Sequence, residues 1–231
     1  MRRNKMVINK SKASIKTIYV TAYMIMFIFA VKIRLLFFHN RYYSLMCLII
    51  AYFILGFIGI YLFREEIRKG VAEWKEHFTN GIIWSIGAYI TDMILSSLAN
   101  YPSMALYPNY DGMNDISISS AAKLVSVPLF VTAAGILGPI TEELIFRFIL
   151  VDKLRTKLPS IICVILSSVL FMVWHMHALT LPELMINLPK LSTGIVYCVI
   201  ILYSNNPTIP ILLHVFNNTT AILMMLMNGT I

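Results

Sequence analysis

The chain has 231 residues, of which 58% are hydrophobic and 13% charged. A soluble domain of this size carries about 25% charged residues, so the composition excludes an ordinary water-soluble globule and points to a polytopic membrane protein. The net charge of +8 is no nucleic-acid signal, because much of it sits at one end of the chain.

Arg2, Arg3, Lys5, Lys10, Lys12 and Lys16 precede the first apolar run with no acidic residue among them. That is the pattern of a cytoplasmic N-terminus held inside by the positive-inside bias, so residues 1–16 read as a basic cytoplasmic segment. No small-residue cleavage site follows, which makes the first span uncleaved. A helix crossing the bilayer needs roughly 20 apolar residues. Runs of that kind cover 17–38, 43–63, 81–99, 119–138, 159–177, 189–204 and 208–227. A further apolar segment, 141–154, follows Pro139, and proline kinks or ends a helix. The expectation is therefore an all-α bundle of seven or eight transmembrane helices, with Pro139 breaking the helix just before the next segment. Residues 17–118 read as variable N-terminal spans and 119–231 as the functional core.

Two connections stand out. Residues 64–80, "REEIRKGVAEWKEHFTN", place Ile67, Val71, Trp74 and Phe78 at helical spacing, as in an amphipathic helix lying on the cytoplasmic surface. A solvated linker is the plain alternative. Residues 100–117 hold two Asp and no Lys or Arg, which suits the outer side. The three cysteines, Cys47, Cys163 and Cys198, lie in apolar runs without metal-type spacing and read as small buried hydrophobes.

Ionisable groups deep in spans are costly and so mark function. Here they are Asp92, Glu142, Glu143, Arg147, His175, His177 and His214, with Asn218 as a strong polar neighbour. In "GPITEELIFRF" (138–148), Glu143 and Arg147 are four apart and can pair on one helix face, whereas Glu142 is rotated about 100° from that pair. In "SSVLFMVWHMHAL" (167–179), Phe171 and His175 share a face, and His177 points elsewhere. In "IPILLHVFNNTTAI" (209–222), His214 and Asn218 share a face, while Asn217 points aside as a packing group. Asparagines 217 and 218 match glycosylation patterns, but inside a span those are inaccessible. Asp92 reads as a polar contact between helices.

Brought together, these groups can hydrolyse a peptide bond without a covalent intermediate. Glu142, desolvated among apolar side chains, suits a general base; His175 can share its water; His214 and Asn218 can donate to the oxyanion. Glu142, His175 and His214 also form an accepted zinc set. There is no H-E-x-x-H helix to force a metal and no G-x-S-x-G elbow.

The motifs E-E-x-x-x-R (Glu142, Glu143, Arg147), F-x-x-x-H (Phe171, His175) and H-x-x-x-N (His214, Asn218), in that order, resemble those of the CPBP family. These are the CAAX-protease and bacteriocin-processing intramembrane peptidases, also called Abi proteins. The resemblance spans roughly 119–227. It implies Glu142 as base, His175 as water holder, His214 and Asn218 as oxyanion groups, and Glu143 with Arg147 in support. A glutamate-activated water with no cofactor is favoured, with zinc held by Glu142, His175 and His214 as the alternative. The implied substrates are membrane-associated peptides or precursors such as bacteriocins, signalling peptides or leaders, processed at a bacterial cell membrane. Phe148 departs from the pattern, since family members usually carry glycine after the arginine. The competing readings are a non-catalytic immunity or scaffold protein of the same family, and a transporter using the charges as an ion path.

Overall fold

The computed structural model describes residues 15–23, 25 and 41–229, and every regular element among them is helical. After the helical residues 15–23 come α1 (Arg41–Leu62), α2 (Arg64–Glu76), α3 (Phe78–Leu106) and α4 (Met113–Ala122). A long helix, α5, runs over Val127–Thr156. It is followed by α6 (Ser160–His175), the short α7 (Leu181–Ile186), α8 (Leu188–Ser204) and α9 (Thr208–Met227). Five stretches among the described residues are long and apolar enough to cross a membrane: Leu45–Leu62, Phe78–Leu106, Val127–Thr156, Leu181–Ser204 and Thr208–Met227. Ser160–His175 is apolar but shorter. This is an all-α membrane bundle, and apolar side chains cover its outside, among them Ile54, Phe57, Ile83 and Leu98. Such a surface is costly in water and natural against lipid tails. Most of the first expected span, 17–38, lies outside the described residues.

The core helix differs from the sequence reading in two ways. The run expected at 119–138 is not one span: α4 stops at Ala122, and α5 starts afresh at Val127 with Pro128 in its first turn. Pro139 also fails to break α5. The helix passes through it by changing register, with π-helical turns over Val131–Leu137 and Leu144–Lys153 on either side of the α-helical Gly138–Glu143. Proline removes a backbone donor, and carbonyls left over in such turns need partners from elsewhere. Helix α9 supplies them. Asn218 Nδ2 donates to the Ala134 carbonyl at 3.2 Å and Thr219 Oγ1 to the Gly135 carbonyl at 3.3 Å. In the second π stretch the Phe146 carbonyl accepts from Ser167 Oγ of α6.

Helix α2 confirms the periodicity of 64–76 but ends earlier than expected, so Phe78 opens α3 and meets Trp74 edge-on across the corner. Its Gly70 is buried against the start of α9. A Cβ there would lie 2.4 Å from Thr208 Oγ1, and Asn206 Nδ2 donates to the Gly70 carbonyl at 2.8 Å. Lys16 pairs with Glu66, joining the N-terminal helical residues to α2. Phe148 occupies the core beside α1 and α2, edge-on to Phe63 at 5.6 Å. The bulk found in place of glycine is thus absorbed by an aromatic cluster. Of the cysteines, 163 and 198 are buried, but Cys47 is exposed on α1, contrary to expectation.

Helices α6 and α8 pack closely at Gly194, where a Cβ would lie 2.9 Å from the Ser168 Cα. Backbone cannot step aside as a flexible side chain can. Gly194→Ala is therefore expected to destabilise the bundle by about 1–3 kcal/mol through overpacking, despite alanine's better helix propensity. Thermal unfolding in detergent checks this, and an unchanged or higher midpoint would contradict the close approach.

Candidate active site

Glu143 lies at the centre of the buried polar cluster. Its Oε1 accepts from Arg147 Nη1 at 2.8 Å and from His214 Nδ1 at 2.7 Å. The expected Glu143–Arg147 pair on one face of α5 is present, at 1% and 0% exposure. The partner from α9 was not anticipated, since His214 was assigned to the oxyanion. Arg147 keeps only part of its hydrogen-bonding capacity: among the described residues Nε and Nη2 have no partner. Aromatic faces compensate. The guanidinium lies 4.0 Å from the Phe171 ring centre and 5.4 Å from that of Tyr197, an arrangement in which the ring quadrupole attracts the cation.

Phe171 is the hub that organises both imidazoles. Its ring meets His175 edge-on at 4.7 Å and His214 at 5.7 Å. His175, at the end of α6, places Nδ1 2.8 Å from the Phe171 carbonyl. A carbonyl can only accept, so Nδ1 carries the hydrogen and the neutral ring leaves Nε2 as an acceptor. At His214, too, Nδ1 carries a hydrogen, which goes to the Glu143 carboxylate. Its Nε2 then faces Glu142, 3.7 Å from Oε2.

Glu142 stands one residue from the brace and belongs to a different set of contacts. Its carboxylate is buried, and among the described residues Oε2 has no hydrogen-bond partner. A buried carboxylate oxygen without a donor is expensive unless something occupies the space before it. Asn218 is half-buried one turn beyond His214. One of its two amide hydrogens goes to the Ala134 carbonyl, which leaves the other to donate.

Asp92 was expected to make a polar contact between helices, and it does so. Oδ1 accepts from Thr193 Oγ1 at 2.7 Å and from Ser96 Oγ at 3.1 Å; Oδ2 accepts from Asn217 Nδ2 at 3.4 Å. Asn217 also donates to the Tyr197 hydroxyl at 2.8 Å. The network links α3, α8 and α9 and ends on Tyr197, whose ring lies edge-on to His214 at 5.9 Å. Tyr197 was not singled out from the sequence. Its only signal there is its place in an apolar helix, where a tyrosine usually needs a partner for its hydroxyl.

Glu183 was also missed. It is fully buried at the start of α7. Its carboxylate accepts from the Tyr110 hydroxyl at 2.8 Å, the Met113 N–H at 3.3 Å, the His177 N–H at 3.2 Å and Asn187 Nδ2 at 3.4 Å. These bonds tie together the loop after α3, the start of α4 and the turn after His175. The His177 backbone thus takes part in a structural knot rather than in the cluster around Glu142.

The zinc alternative calls for Glu142, His175 and His214 to converge. Nitrogen and oxygen donors are present, but among the described residues no three His, Cys, Asp or Glu side chains gather as a metal-binding group.

Residues 124–220 match the family model described as "Type II CAAX prenyl endopeptidase Rce1-like". Over those residues the chain is similar to that family. The matched Rce1-like segment contains α5, α6, α8 and the part of α9 carrying His214 and Asn218, and so the whole cluster just described. The chain is also 25% identical over 181 residues to "Putative membrane peptidase YdiL" of Bacillus subtilis, covering 78% of this chain and 68% of that protein. No solved structure matches.

Proposed function

We propose that this protein is an intramembrane endopeptidase of the Rce1-like type, cutting membrane-associated peptides or precursors with a glutamate-activated water. The observation that carries the reading is the buried, unpartnered Oε2 of Glu142 facing Nε2 of His214. A water in front of Glu142 would give one hydrogen to the carboxylate. His175 Nε2 would accept the other and orient the oxygen lone pair at the scissile carbonyl. The water oxygen adds to the carbonyl carbon as Glu142 takes the proton, and the carbonyl oxygen becomes the oxyanion. Glu142 would pass that proton on to His214 Nε2, and the imidazolium so formed, with Nδ1–H on Glu143 and Nε2–H on the oxyanion, would stabilise the adduct, while Asn218 would add its free amide hydrogen. Collapse of the adduct breaks the C–N bond, with His214 returning the proton through Glu142 to the leaving amine. Glu143 and Arg147 hold His214 without touching the substrate.

The peptidase names of the matched family and of the Bacillus relative support this reading. Bacteriocin, signalling-peptide or leader precursors at the cell membrane are the proposed substrates. The N-terminus and the basic end of the bundle around Lys153, Arg155 and Lys157 are proposed to lie in the cytoplasm.

The test is a cleavage assay on membrane peptides with the purified protein in detergent, comparing wild type with His175→Ala, each with and without chelator. Loss of about tenfold or more in His175→Ala is expected from the misplaced water, with wild-type activity indifferent to the chelator. Chelator-sensitive activity restored by zinc would replace the glutamate-water mechanism with a metal one.

A further inference from the structure

Near the catalytic cluster stands a charge that none of the motifs includes. Lys190 lies in the first turn of α8, half-buried, and among the described residues its ammonium forms no ion pair. The helix repeat places Lys190 on the same face as Gly194 and Tyr197, four and seven residues on. That face is the one turned to the cluster, because Gly194 touches α6 and Tyr197 packs on His214 and Arg147.

The height of the side chain follows from the same packing. Helices α6 and α8 are joined through the short α7 and run antiparallel, with Ser168 opposite Gly194. His175 lies seven residues beyond Ser168, about 10 Å along the axis; the Lys190 Cα lies four residues from Gly194, about 6 Å in the same direction. Side chains lean toward the N-terminus of their helix, so the lysine stem carries the ammonium on toward the level of His175. Its charge is accordingly felt at both the Glu142 carboxylate and the His175 ring.

The acidic groups flanking this turn are already committed to uncharged donors. Asp92 holds Thr193, Ser96 and Asn217, and Glu183 holds Tyr110, Asn187 and two backbone N–H groups. A half-buried ammonium with no ion-pair partner at bonding distance among the described residues, facing a site built to receive a peptide, has room for an anion that the substrate can bring.

We infer that Lys190 is a specificity-determining residue that receives a carboxylate of the substrate close to the scissile bond. The inference rests on the peptidase reading. It narrows the substrate class to membrane peptides bearing an acidic side chain, or their own C-terminal carboxylate, within a few residues of the cut. Lys190 recognises the substrate and takes no part in proton transfer.

The test uses the full-length protein in detergent micelles and peptides of one apolar sequence. Close to the cut, the peptides carry Glu, Gln or Lys, and each is made as a C-terminal acid and as an amide. Wild type is expected to favour an anionic peptide over its neutral counterpart in kcat/KM. Lys190→Gln should reduce that preference by about tenfold, chiefly through KM, as expected for loss of a charged hydrogen bond. Lys190→Glu should reverse it in favour of the Lys peptide. A preference that disappears on amidation assigns the carboxylate to the C-terminus; one that follows Glu assigns it to the side chain. Cleavage by both variants with wild-type preference ratios overturns the inference and leaves the peptidase reading standing. Failure of wild type to cut any of the peptides overturns both.

Discussion

Glu142→Gln is expected to lower kcat/KM on any cleaved peptide by about 10²–10⁴-fold, the range supplied by a positioned general base. Glutamine keeps the shape and still offers an acceptor, but it cannot take the proton from water. Stability should change little. Glu142 makes no hydrogen bond through Oε2, and the ion pair at the centre of the cluster belongs to Glu143. Amide for carboxylate also removes a charge that the buried setting makes costly, which gives the variant no reason to unfold. The decisive measurement pairs a cleavage rate with a thermal midpoint in the same detergent. A well-folded variant within threefold of wild-type rate would sink the mechanism and favour the non-catalytic immunity or scaffold reading.

The parts of the molecule readable in advance are those set by local spacing. Glu143 and Arg147 pair because they are four apart on one helix, and α9 occupies the expected 208–227 because its apolar run is uninterrupted. The course of α5 through Pro139 was not readable. The carbonyls left over there are satisfied by Asn218 and Thr219, 84 residues further along the chain, so local rules see only the missing donor. Asn218 therefore has a structural bond that its place in the H-x-x-x-N motif does not reveal. Glu183 escaped for a related reason. Alone, it looks like an acidic residue in the first turn of a short helix, where carboxylates are common. Only the fold brings donors to it from three separate segments. His214 shows the intermediate case. The sequence placed it in the cluster, whereas its Nδ1 contact with Glu143 depends on how α9 lies against α5. That contact decides which nitrogen faces Glu142.

Arg147→Met is expected to cost about 3–5 kcal/mol of stability, the penalty for leaving a buried carboxylate without its cation. Glu143 would keep the His214 Nδ1–H as a partner, but one imidazole hydrogen bond does not replace the guanidinium that the buried carboxylate would lose. The double variant Glu143→Leu, Arg147→Met separates the brace from the chemistry. With both members of the ion pair gone neither charge is left buried without the other, and apolar side chains of similar size fit a cluster already lined by Phe146, Phe171 and Tyr197. Most of the lost stability should return, since replacing a whole buried pair is often neutral. Activity should not return with it: without Glu143, His214 Nδ1 loses its acceptor, and nothing then fixes which nitrogen faces Glu142. Recovered unfolding midpoint with peptidase activity still at least about 100-fold down is therefore the expected pair of results. If Arg147→Met alone costs less than about 1 kcal/mol, the aromatic rings, and not the ion pair, are what hold this helix face together.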